Sequence, residues 1–98
     1  MNASAYFETE HAQRYLGTLC KHFGHKVTVV HEPGFGRIEL PFGRCALHAD
    51  AAGLRLTATA DDRPMLDKTI QVMSSHLERF AFRENPDLTW TGAEGGEA

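Results

Sequence analysis

The hydrophobic positions of this chain follow two different periods, and the first of them predicts two helices. Between residues 9 and 24 the apolar side chains recur at gaps of three and four, as on one face of an amphipathic helix. Thr9 is the predicted N-cap of this helix, and we expect Gly24 in the left-handed conformation just past its end. The apolar stripe consists of Ala12, Tyr15, Leu16, Leu19, Cys20 and Phe23.

A second stripe with the same spacing predicts another helix late in the chain. Asp61 or Asp62 can cap it, with Pro64 in its first turn, and the pair Asn85-Pro86 is expected to end it. Its stripe consists of Leu66, Ile70, Met73, Leu77 and Phe80.

Between the two helices apolar and polar residues alternate, which is typical of strands with one buried face. Four such runs, over residues 27–30, 37–42, 44–49 and 54–60, are separated by short turns that contain glycine or proline. They predict an antiparallel meander. Short edge strands are expected near residues 5–7 and 88–90.

The predicted element order is β-α-β-β-β-β-α-β. Because each helix must bury one stripe and the meander offers one apolar face, we expect a two-layer α+β sandwich with both helices on the same face of the sheet. The order of elements resembles the TATA-binding-protein-like topology, a likeness that implies nothing about DNA binding. One domain is expected over residues 1–90, with a disordered tail over residues 91–98.

Chain length, net charge and cysteine content limit the classes of function that this chain can have. A chain of 98 residues is too short for a (β/α)8 barrel, and its net charge of −3 makes nucleic acid an unlikely general partner. Cys20 and Cys45, both on predicted core faces, are typical of reduced thiols in a cytoplasmic protein and give little support to nucleophilic catalysis. The sequence shows no apolar run long enough to cross a membrane.

Three of the six histidines are candidates for a shared metal ion, although our first expectation is that no cofactor is bound. His22 and His25 converge if the chain turns at Gly24. His76 has the same offset from its stripe as His22, so antiparallel helices bring His22 and His76 together or turn both away. Imidazole ligands suit zinc or iron. In the alternative interpretation these histidines are structural and bond to backbone carbonyls.

The polar face of the predicted sheet carries Arg37, Arg44 and Arg55. Three arginines on an open face are candidates to bind an anion, a single-stranded nucleic acid or an acidic partner. Against this, Glu39 can pair with an arginine across the strands, and Phe35 is the one aromatic residue expected nearby. A solvated face, or a homodimer that buries it, is the alternative.

The run from His76 to Arg83 offers more apolar surface than one stripe can bury. We expect Phe82 to pack under Trp90; otherwise it forms a patch that binds a protein partner. Arg79 and Arg83 are four residues apart on the predicted helix, so they could clamp a carboxylate, although neighbouring glutamates are nearer partners.

Several blocks of sequence resemble a small bacterial family, domain of unknown function 2218, over residues 3–90. The blocks are Arg14-Tyr15-Leu16, Leu19-Cys20-Lys21-His22-Phe23, Gly36-Arg37-Ile38 with Gly43, and His76-Leu77-Glu78-Arg79-Phe80-Ala81-Phe82-Arg83 followed by Trp90. The resemblance implies no catalytic residues. Because some family members are fused to or placed near siderophore-interacting proteins, it implies a link to iron handling.

From the residues and this resemblance we predict a non-catalytic binding or accessory domain. A metal-dependent activity at His22, His25 and His76 is the first alternative. Anion or nucleic-acid binding by the arginine-bearing sheet face is the second.

Overall fold

The computed structural model describes residues 1–92 and confirms the predicted α+β class. Its elements are β1 (Asn2–Glu8), α1 (Ala12–Phe23), β2 (Thr28–Glu32), β3 (Phe35–Leu40), β4 (Gly43–Ala49), β5 (Gly53–Thr59), α2 (Arg63–Phe80) and a 3-10 turn (Phe82–Glu84). All strand pairs are antiparallel, in the order β1-β5-β4-β3-β2. Most of the predicted disordered tail, from residue 93 onward, lies outside the described residues.

The two helices bury their stripes against one face of the sheet, as predicted. Leu16 and Leu19 of α1 and Met73 and Leu77 of α2 have no exposed surface. They meet the inward side chains of the central strands, which are also fully buried: Ile38, Cys45, Leu47, Leu54 and Leu56. The element order through α2 is the predicted one, while the likeness to the TATA-binding-protein topology stays a prediction.

The predicted last strand at residues 88–90 is wrong. A single bridge forms instead, in which Thr91 pairs with Ser4 of β1. Leu88 and Trp90 turn their side chains onto the core, and the indole Nε1 of Trp90 donates to the Ser74 hydroxyl of α2 at 2.8 Å. This segment is therefore held by side-chain packing rather than by a ladder of backbone hydrogen bonds.

Both ends of α1 differ from the sequence expectation. The helix begins after His11, and Thr9 lies two residues earlier, where its hydroxyl accepts from the His11 backbone N–H at 3.0 Å. Gly24 is right-handed, with φ −61°, and not left-handed as predicted. Its N–H donates to Cys20 O at 2.9 Å, so the chain winds on for another turn before it enters β2.

The start of α2 is as predicted and its end is not. The Asp62 carboxylate accepts from Met65 N at 2.9 Å, and Pro64 lies in the first turn. The helix ends at Phe80, and the chain tightens at the buried Ala81 into the 3-10 turn. Asn85, with φ 51°, ends that turn rather than the helix.

No helix within residues 1–92 combines the length and the apolar character that crossing a membrane requires.

Candidate functional site

The face of the sheet opposite the helices carries a row of two aromatic side chains with two basic side chains between them. Tyr6 of β1 pairs with Arg55 of β5, Arg55 with His48 of β4, and His48 with Phe35 of β3. Among the described residues no helix lies over this row. We call the surface formed by these four residues with Arg37 and Arg44 the open face.

Tyr6 is fixed in place at one end of the row. Its hydroxyl donates to Asp50 at 2.9 Å, and the Arg55 guanidinium carbon lies 5.0 Å from the ring centroid. A β-carbon at position 53 would lie 2.8 Å from the Tyr6 ring, so the glycine there makes room for the ring against β5. The Tyr6 hydroxyl and two backbone N–H groups hold the pKa of Asp50 below its ordinary value. The ring is therefore pre-organised.

Two expectations about the open face are corrected. Phe35 is not the one aromatic residue there, because the alternation in β1 that buries Ala5 and Phe7 turns Tyr6 to the same face. Glu39 pairs with Arg37 of its own strand at 3.0 Å, although Arg44 is its neighbour across the strands. The period-two pattern could have revealed Tyr6, because it places alternate residues on opposite faces.

His22 of α1 and His76 of α2 lie side by side between the helices, with ring centroids 5.0 Å apart. The His76 ring also contacts Phe23 at 4.7 Å, and the His22 ring contacts Phe80 at 5.5 Å. His76 Nδ1 lies 2.7 Å from Val72 O. Since a carbonyl oxygen can only accept, Nδ1 carries the proton in this hydrogen bond.

The surroundings of this histidine pair are cationic. Burial lowers the pKa of His22, and the positive charges of His76, Lys26, Arg79 and His25 lower it further. His25 itself is exposed in the turn after α1. Among residues 1–92 there is no group of three or more His, Cys, Asp or Glu side chains arranged to hold a metal ion. Two of the three predicted ligands thus come together, and metal binding stays a prediction.

A second polar cluster joins the start of α1 to the 3-10 turn. The Thr9 hydroxyl donates to one carboxylate oxygen of Glu84 at 2.7 Å, and the Tyr15 hydroxyl donates to the other. Tyr15 and Thr9 are buried. These two hydrogen bonds lower the pKa of Glu84, while burial and then the bond to Glu84 raise that of Tyr15. The sequence carries no sign of this cluster, because Tyr15 fits the apolar stripe.

An open cleft of about 380 Å³ adjoins this cluster. Its lining residues are His11, Arg14, Tyr15, Thr18, Phe80, Phe82, Arg83 and Glu84. The prediction that Phe82 packs under Trp90 is wrong, because the Phe82 side chain is 67% exposed. Because α2 ends at Phe80, Arg83 lies on the 3-10 turn, 5.7 Å from the Phe82 ring centroid. The predicted shared helix face of Arg79 and Arg83 is therefore wrong.

The Glu84 cluster predicts an acid-dependent stability. Because the folded protein lowers the pKa of Glu84, the stabilisation is complete above the ordinary pKa and is lost as the pH falls from about 5 toward the lowered value. Glu84→Gln replaces two charge-assisted hydrogen bonds with neutral ones, and we expect a loss of about 1 kcal/mol near pH 7. Urea unfolding at pH 7 and pH 3.5 should show the difference from wild type shrinking in acid. An equal difference at both values would rule out this account.

The two cysteines are buried and do not form a disulfide. Burial raises the pKa of the Cys20 thiol, and it raises that of Cys45 to about 12. At neutral pH both remain thiols, so neither is an activated nucleophile.

The fold and its surfaces define a small two-layer α+β domain with one face of its sheet open. The chain belongs to the bacterial family described as "Uncharacterized protein conserved in bacteria (DUF2218)", whose sequence model matches residues 4–91, which confirms the resemblance. It is similar to the NMR structure of PA4090 from Pseudomonas aeruginosa, with 32% identity, a TM-score of 0.80, and coverage of 94% of this chain and 96% of that one. No curated protein matches the chain.

Proposed function

We propose that this protein is a non-catalytic binding domain whose open face binds a small anionic ligand with flat aromatic rings. The observation that carries the proposal is the cross-strand row of Tyr6, Arg55, His48 and Phe35. Two free thiols fit the cytoplasmic location that the sequence predicts.

The hydrogen-bond donors of the row and the spacing of its aromatic rings both fit such a ligand. Arginine presents a planar group of donors that suits oxyanions and stacks on aromatic rings. Tyr6 and Phe35 stand on β1 and β3, three strand spacings or about 14 Å apart, so each can stack on a separate ring of the ligand. Because Tyr6 is already fixed by Asp50, little side-chain freedom is lost on binding.

The implied link to iron handling supplies one ligand to test, since ferric tris-catecholate complexes combine negative charge with flat rings. Calorimetric titration of this complex at low and at physiological salt should show salt-sensitive binding, weakened at least tenfold by Arg44→Gln with Arg55→Gln. Arg63→Gln is the matched control, because Arg63 pairs with Asp67 at the start of α2, away from this face.

Three outcomes would reject the proposal. The first is no binding at low salt. The second is equal weakening by the Arg63 control. The third is a clear preference for oligothymidylate over the chelate, which would reassign the open face to single-stranded nucleic acid.

Metal binding is a second candidate function, favoured by the 5.0 Å separation of the His22 and His76 rings. Two imidazoles on one tetrahedral zinc, with Zn–N bonds of about 2.0–2.1 Å, have ring centroids roughly 5 Å apart. The cationic neighbours of His22 oppose a bare divalent ion, and outside ligands must complete the coordination. Elemental analysis of natively purified protein for zinc and iron tests this, with His22→Ala as the control. Equal metal content in both proteins would reject the site.

A further inference from the structure

The edges of α1 and α2 run side by side on the helical side of the protein, and an open cleft lies at one end of this seam, beside Phe82. At one end Tyr15 of α1 meets Glu84 beyond α2, and at the other end His22 meets His76. The helices are thus antiparallel along this seam. From Tyr15 to His22 the helix rises by about 10 Å, and the cleft beside Phe82 adjoins the Tyr15 end of the seam. We call this surface the interhelical groove.

The interhelical groove is basic. Arg14 and His11 line it from α1, His22 and His76 lie at its far end, and Arg83 lines it from the 3-10 turn. Glu84 is the one acidic residue lining the cleft, and both of its carboxylate oxygens already accept hydroxyl hydrogen bonds. The ion pairs within residues 1–92, Arg37–Glu39 and Arg63–Asp67, involve none of these basic groups.

Phe82 projects into solvent beside this basic surface. It is the most exposed large hydrophobic residue of the described chain, at 67%. The guanidinium groups of Arg14 and Arg83 lie over aromatic rings, 5.3 Å from the Tyr15 centroid and 5.7 Å from that of Phe82. Aromatic residues and arginines are the residue types that dominate binding energy at protein interfaces.

We propose that the interhelical groove binds an acidic peptide segment of a partner protein, with an apolar side chain of that segment packed against Phe82. The guanidinium groups of Arg14 and Arg83 would each take a carboxylate. A peptide suits the site better than a small molecule, because the charges are spread along the seam and Phe82 protrudes rather than forming a wall. The chain's net charge of −3 disfavours a long polyanion such as nucleic acid.

His22 faces the basic side chains of His76, Lys26, Arg79 and His25. Binding of an acidic segment should weaken in strong acid, because the carboxylates of the peptide then take up protons.

A random seven-residue peptide library displayed on phage and selected on the full chain tests the proposal. We expect enrichment of sequences with several Asp or Glu residues and one large apolar residue. The best synthetic peptide should bind at least tenfold more weakly to Arg14→Gln with Arg83→Gln, and also to Phe82→Ala. Arg63→Gln and Arg55→Gln are matched controls that should bind as wild type does. Thermal unfolding of each variant confirms that it is folded.

Each remaining outcome overturns the proposal. Selection of peptides without an acidic consensus shows that the groove does not recognise carboxylates. Loss of binding in Arg55→Gln but not in the groove variants places the peptide on the open face. Binding unchanged in strong acid would show that the peptide carboxylates do not contribute to the affinity. Because the groove and the open face lie on opposite sides of the sheet, these results are independent of the ligand proposed above.

Discussion

Gly43→Ala should destabilise the protein by about 2–3 kcal/mol, an overpacking effect. Gly43 begins β4 where α2 crosses the sheet, and a β-carbon there would collide with the Thr69 hydroxyl and lie 2.8 Å from Thr59 O. Thr69 cannot move away easily, since it is fully buried and its hydroxyl donates to Met65 O at 2.9 Å. The new methyl group must therefore displace the helix or the strand.

Urea unfolding of Gly43→Ala measures this loss, and Gly17→Ala is its matched control. Gly17 lies within α1, and a β-carbon there would meet nothing nearer than the His31 ring at 3.8 Å. Alanine favours the helix, so this control should gain about 0.5–1 kcal/mol. Adding Thr69→Ala should recover only part of the loss in Gly43→Ala, because Thr59 O is backbone. Full tolerance of Gly43→Ala would show that α2 is not held close to the sheet here.

The two layers of this fold could be predicted from the hydrophobic periodicity of each segment. The ends of the helices could not. Hydrophobic periods of two and of three to four residues correctly placed the central strands and both helices. Each element buries one face, so its own sequence contains the pattern. The end of α2 was misplaced because Asn85 and Pro86 are visible in the sequence, whereas the burial of Ala81 that turns the chain is a tertiary contact. Gly24 likewise looked like a left-handed terminus, yet the next turn continues right-handed.

The candidate surfaces were predictable to different degrees. Equal offsets on two antiparallel helices left two outcomes for His22 and His76, side by side or both turned away, and the structure shows the first. Alternation placed the arginines on one face. The Glu84 cluster could not be predicted, since Thr9 and Glu84 are 75 residues apart and no periodicity links them. Phe82 was expected to pack under Trp90 because the run from His76 to Arg83 has more apolar surface than one stripe can bury. The helix ends at Phe80, and the Phe82 ring is exposed instead.

Trp90→Ala should cost about 2–3 kcal/mol, below the range for a fully buried Trp because the ring is half-buried. Trp90 packs against both apolar clusters of the core, the large one between the sheet and the helices and the small one around Ala58 and Leu66. It also ties α2 to the C-terminal segment through Ser74. Without the indole, the bridge between Thr91 and Ser4 has no adjacent anchor.

The two contributions of the indole can be separated by Trp90→Phe, which keeps most of the packing and removes the N–H donor to Ser74. We expect this variant to lose about 1 kcal/mol, the net value of one hydrogen bond. Amide hydrogen exchange at Ser4 and Thr91, whose N–H groups bond to each other's carbonyls, should accelerate strongly in Trp90→Ala and only slightly in Trp90→Phe. If both variants lost the same stability, the hydrogen bond and not the packing would anchor the segment. If neither exchange rate changed, the bridge between Ser4 and Thr91 would not depend on Trp90.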